Sequence, residues 1–114
     1  MVNLLDETLT SIKRYHKSES DVTWVGSADG KYAISWENFK YIAAKTDYDS
    51  GYGGQEIATD LVVVFSDKSW LDRREYDGAE WWAYNTSPVL SKKPKKFFTV
   101  KSQSENSWVT LGNC

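Results

Sequence analysis

His16 and Cys114 are the single histidine and the single cysteine of the chain, so any imidazole-activated thiol would have to be built from them. Cys114 is the last residue, and His16 falls on the polar flank of an N-terminal amphipathic segment. The expectation is a surface histidine and a thiol with no internal disulfide partner and no structural role, open to intermolecular pairing only in an oxidising buffer. A zinc site would need further ligands at a recognisable spacing, which the carboxylates do not supply. A second set of reactive types is Asp72, Glu75, Asp77 and Glu80, gathered around Asp77-Gly78. A glycosidase-type pair needs two carboxyls about 5 to 9 Å apart across a cleft. A hairpin tip does not form a cleft, and Arg73 and Arg74 are placed to neutralise these acids across the strands. The third set is TDYDSGYGG, residues 46–54. It lacks the Lys and the Ser/Thr of a phosphate-binding loop. A calcium loop opening at Asp47 would want Glu where Ala58 stands. No catalytic residue, metal ligand or cofactor site is expected. The loop is expected to be a mobile connector through which Tyr48 and Tyr52 reach a partner.

What remains is recognition chemistry. Six Trp and seven Tyr are far more large amphipathic rings than a small core requires. Trp and Arg carry interface energy more often than Lys or Glu. The partner-binding surface is therefore assigned to Trp70, Arg74, Tyr76 and one of Trp81 and Trp82, with Tyr48 and Tyr52 from the loop.

The elements that position these residues centre on residues 56–84. Residues 57–65 end in a β-branched run suited to the middle of a sheet. Residues 66–68 turn, and residues 69–76 put Trp70, Asp72, Arg74 and Tyr76 on one face against Leu71, Arg73 and Glu75 on the other. Asp77-Gly78 is a type I′ hairpin signal. Residues 79–84 carry Trp81 and Trp82 side by side. Period-2 geometry sends them to opposite faces, one as a core anchor and the other covered or exposed.

Upstream, Leu4, Leu5, Leu9, Ile12 and Tyr15 recur at helical spacing, which predicts a helix over residues 3–17 with Asn3 as N-cap. Residues 22–26 and 31–34 predict a hairpin around Asp29-Gly30. Ser35 caps a short helix over residues 36–45. Residues 85–88 end the meander, and Lys92, Lys93, Lys95 and Lys96 surround Pro94 as a solvated edge, with a nucleic-acid patch as the rival reading. Residues 97–101 and 107–111 predict a last hairpin that sends Phe97, Phe98, Val100, Trp108, Val109 and Leu111 to the core.

Length allows one domain over residues 1–114. Residues 1–91 hold nine Lys/Arg against fifteen Asp/Glu, while residues 92–114 hold five Lys against Glu105. The acidic body argues against general nucleic-acid binding and suits a basic protein partner. Neither a membrane span nor a secretion signal is read at the N-terminus, so a cytoplasmic location and no membrane partner are expected.

Residues 60–88, and within them SWLDRREYDGAEWW (residues 69–82), resemble a segment of small uncharacterised proteins of bacteriophages and mobile elements. In size, acidity and α+β character the chain also resembles small phage inhibitors of bacterial defence, including anti-CRISPR proteins. The resemblance implies a protein that acts in the host cytoplasm, and it carries no functional residue across. The expected fold is α+β: an antiparallel sheet of about five to seven strands with both helices packed on one face and the other face partly open. The expected function is non-enzymatic: a phage-type inhibitor that occludes a host protein surface. The alternatives are a structural protein whose aromatic sheet face joins copies into a homo-dimer or larger oligomer, and a single-stranded nucleic-acid binder.

Overall fold

The computed structural model describes residues 1–51, 53–103, 105 and 108–114. Tyr52 and the first residue of the expected last strand, Ser107, lie outside the described residues. The chain is α+β. A five-stranded antiparallel sheet runs in the order β3 (Ala33–Ile34), β2 (Val22–Ser27), β5 (Leu61–Phe65), β6 (Trp70–Tyr76), β7 (Ala79–Asn85), and a two-stranded ribbon joins β1 (Val2–Asn3) to β4 (Asp47–Tyr48).

The ribbon pairs β1 (Val2–Asn3) with β4 (Asp47–Tyr48), so part of the expected 46–54 loop is a strand. Helix α1 (Leu4–Arg14) begins where Asn3 Oδ1 accepts from the Asp6 N–H, at 3.1 Å. Acids in its first turn and bases in its last suit the dipole. It stops three residues short of the expected end. His16 takes φ 61, and the N–H groups of His16 and Lys17 turn back to the carbonyls of Lys13 and Ile12. This is the reversed hydrogen-bond pattern of a Schellman stop, with an exposed histidine where glycine is usual.

Strand β2 (Val22–Ser27) pairs with the short outer strand β3 (Ala33–Ile34), and Ser35 caps α2 (Trp36–Ala44) by accepting from the Asn38 N–H. Only Leu61–Phe65 of the expected 57–65 strand is β5; Ile57 is buried in irregular chain ahead of it. Strands β6 (Trp70–Tyr76) and β7 (Ala79–Asn85) form the expected hairpin, with Asp77 at φ 50 and Gly78 at φ 87. Both central residues have the positive φ that a type I′ turn demands.

Register sorts the side chains. Val25, Val63, Leu71 and Tyr84 form one row across four strands, and Arg73 pairs with Trp82 in the next row of the same face. Leu4 and Ile12 of α1 and Phe39 and Ala43 of α2 close over this inner face. The outer face carries the other parity: Trp24, Val64, Trp70 and Asn85 in one row, Asp72 beside Ala83, and Arg74 beside Trp81.

The last expected hairpin does not form among the described residues. No described residue of 86–114 is in a strand; its one regular element is a single 3-10 turn, Leu111–Asn113. Phe97, Phe98, Val100, Trp108 and Leu111 are exposed rather than in the core. The physical reason is occupancy: two helices already fill the inner face, and the tail leaves β7 at the sheet's outer edge. Pro88 and Pro94 break its continuity further, and four lysines separate its apolar residues.

Candidate binding surface and the buried charges behind it

Strand parity divides the expected site residues. Trp70, Arg74, Tyr76 and Trp81 share the outer face; Trp70 is half-buried, Trp81 is 42% exposed and Tyr76 is 77% exposed. Trp82 is 2% exposed on the inner face, so it is the core anchor of the adjacent pair and leaves the binding surface. Its indole Nε1 donates to Thr8 Oγ1 at 2.9 Å, and the Thr8 hydroxyl donates to the Leu4 carbonyl at 2.7 Å. That chain gives the ring's one polar atom a partner and ties β7 to α1.

Tyr48 is also corrected. It is 2% exposed, held in β4 with its ring inside the core, and does not reach out of a loop. Tyr52 falls outside the described residues.

On the outer face, Trp24, which sequence reasoning placed in a strand without assigning it to the site, adjoins the assigned residues. Trp24 and Trp70 flank Val64 in the cross-strand row, and together with Val62 and the turn at Ala28 and Gly30 they line a depression of about 510 Å³. Parity was the signal that could have found Trp24, since its partner Val64 pairs in turn with Trp70. Arg74 lies along this face as a fork: its Nε donates to Asp72 Oδ1 at 2.8 Å and one Nη to Asn85 Oδ1 at 3.0 Å. The arginine is thereby oriented while half its surface stays open. The arrangement offers flat apolar area, a fixed cation and polar tips, which is what a protein-binding surface requires.

Behind the sheet is a cluster that sequence reasoning missed. Arg73 has no exposed side-chain surface, and it reaches Glu7 Oε1 at 2.6 Å, the Tyr48 hydroxyl at 2.9 Å and Glu80 Oε2 at 3.5 Å. Tyr48 in turn donates to the other oxygen of Glu7. The guanidinium also lies over the Trp82 ring, 4.7 Å from its centroid. Burial works against the Arg73 charge, but the bonds from Glu7 and Tyr48 outweigh it and raise its affinity for the proton. Burial, with the bond to Glu7 next, pushes the Tyr48 phenol up to about 12. A tyrosine so far from ionising is a poor general base at neutral pH. Two carboxylates, one cation and one phenol resemble catalytic equipment, yet they pair chiefly with one another, leaving Arg73 Nε and Glu80 Oε2 buried without a hydrogen bond and only Glu7 partly open to solvent. Their arrangement links α1, β4, β6 and β7; it does not present a reacting group.

Of the arginines expected to neutralise acids across the strands, Arg73 meets Glu80 on the next strand at 3.5 Å, whereas Arg74 pairs with Asp72 along its own strand. Among the described residues, no group of three or more His, Cys, Asp or Glu is placed to hold a metal ion, and no helix is long and apolar enough to cross a membrane. No family model, curated protein or solved structure matches the chain.

Proposed function

We propose that this is a non-enzymatic binding protein that seats the outer face of its sheet on a protein partner. The observation that carries the reading is the cross-strand row Trp24–Val64–Trp70, half-buried on a face that neither helix covers, with Arg74 clamped beside it. Apolar and aromatic side chains fixed on adjacent strands are pre-organised, so little ordering cost opposes association. The acidic body, nine Lys/Arg against fifteen Asp/Glu in residues 1–91, steers the face toward a basic site on the partner. The resemblance to small phage proteins supports a host protein as that partner, blocked by steric occlusion in the host cytoplasm.

Capture from a bacterial lysate with immobilised protein tests the reading, using Trp70→Asp and Arg74→Glu as paired controls that keep the wild-type circular dichroism. Proteins retained by wild type and lost with both variants are the expected outcome. Identical capture by all three proteins removes the outer face from the function. A salt-sensitive shift of a single-stranded oligonucleotide, unaffected by either variant, would move the activity to the lysine-rich tail.

A further inference from the structure

We propose that the outer edge of β7 is a docking site for an extended strand, supplied by residues 97–101 of a second copy of this chain. The register defines what the edge offers. The two-residue turn makes Tyr76 and Ala79 a hydrogen-bonded pair, so Arg74–Trp81 and Asp72–Ala83 are bonded pairs as well. Glu80, Trp82 and Tyr84 fall between them, and their backbone N–H and C=O groups point away from β6. Glu80 follows this rule: its N–H leaves the sheet and donates to the Ser50 carbonyl at 2.8 Å. Trp82 and Tyr84 continue the same edge, and β7 is the last strand of the sheet. A groove of about 320 Å³ runs beside it, between Trp81 and the Asp6, Thr10 and Arg14 side of α1.

The occupant is indicated by what the tail exposes. Phe97, Phe98 and Val100 are 58%, 90% and 76% exposed, and with Thr99 they make a run of strand-forming residues without a strand partner. The charges are complementary. Lys95, Lys96 and Lys101 flank this run in a tail that holds five lysines and Glu105, whereas the body carries six more acids than bases. Residues 86–96 can extend to about 35 Å, enough to carry the run from one sheet to a neighbouring copy. Main-chain pairing would give the contact its affinity, and the alternating Phe98 and Val100 would cover the strand's side of the groove.

Light scattering on a sizing column under reductant, combined with amide hydrogen exchange, tests the proposal on the full chain. Wild type is expected to be a dimer with slow exchange at Trp82 and Tyr84. The double variant Thr99→Pro/Val100→Pro removes one edge-facing N–H whichever way the strand lies, and it should be a folded monomer in which those two amides exchange fast. The substitutions lie in the exposed tail, so loss of the fold does not confuse the result. A wild-type monomer overturns the proposal, including one with protected amides, since its own tail would then sit on its own edge. So does protection that appears only when a foreign protein is added. A dimer that survives the proline variant but is lost with Trp70→Asp assigns self-association to the outer face and also overturns it.

Discussion

Glu7 and Arg73 are 66 residues apart in the chain and meet at 2.6 Å inside it. The pair fixes where α1 sits on β6, and its environment makes it unequal to a surface ion pair. Glu80, with 1% of its side chain exposed, and the phenol of Tyr48 depend on the same guanidinium. Arg73→Ala would leave two acids and a hydroxyl without their shared donor, and breaking a buried pair in this way costs about 3–5 kcal/mol. Arg73→Lys should recover little, because a point charge cannot replace a planar fork. Urea unfolding checks both. A loss near that of an ordinary surface pair would show that water reaches the cluster.

The phenol at the centre of the cluster gives a pH dependence with a definite sign. Tyr48 is shifted from 10.0 up to about 12, so the folded state holds this proton more tightly than the unfolded chain. Its contribution to stability is complete below pH 10.0 and is lost as pH climbs from there through about 12. Absorbance titration of tyrosinate should show one tyrosine ionising only with unfolding. Tyr48→Phe should abolish that step and cost about 1–3 kcal/mol at neutral pH through the unpaired groups it leaves. An unchanged alkaline titration in the variant would place the late step elsewhere.

At the other end of α1, Lys17 and Asp67 form an ion pair, with Lys17 also near the rings of Phe65 and Tyr84. The hydrogen bond from Lys17, and then those from Ser69, hold the Asp67 carboxyl well below the usual carboxylate range. A depressed carboxylate stabilises the fold above its unfolded value of 3.8, and the effect is lost as pH falls from there. Asp67→Asn should therefore flatten the acid limb of a Tm-versus-pH curve and leave the alkaline limb unchanged. A parallel shift of both limbs would mean that the aspartate acts through packing rather than charge.

Much of the frame was legible because local chemistry and tertiary need agree there. Asn3 and Ser35 cap the helices they were read to cap, Asp77-Gly78 makes its hairpin, and parity separates Trp81 from Trp82. The β1–β4 ribbon was not legible, because two-residue strands have no periodicity to read. Arg73 was misjudged for a different reason. Parity placed it with Leu71 on the face later shown to be inward, but its partners were sought among the acids of its own hairpin, whereas Glu7 and Tyr48, both distant in sequence, supply the bonds that make its burial tolerable. The tail failed on occupancy: the apolar residues among 97–111 have the composition of a core hairpin, and composition does not say whether a core still has room. Tyr48 failed because Asp and Gly around it signalled a loop.

The stop of α1 supports a stabilising substitution. His16 holds φ 61 so that its own N–H and that of Lys17 can bond back into the last turn. A side chain in the left-handed region costs roughly 1–2 kcal/mol relative to the helical region, a cost that glycine escapes. His16 is exposed, so its side chain contributes little packing to offset that cost. Glycine also gains more freedom in the unfolded chain, which removes part of the benefit. His16→Gly should thus raise stability by about 0.5–1 kcal/mol, whereas His16→Val, with a branched carbon in the same conformation, should lower it by about 1 kcal/mol or more. Denaturant midpoints at unchanged slope measure both. If the valine variant is as stable as the glycine variant, the left-handed stop is not what ends this helix in solution.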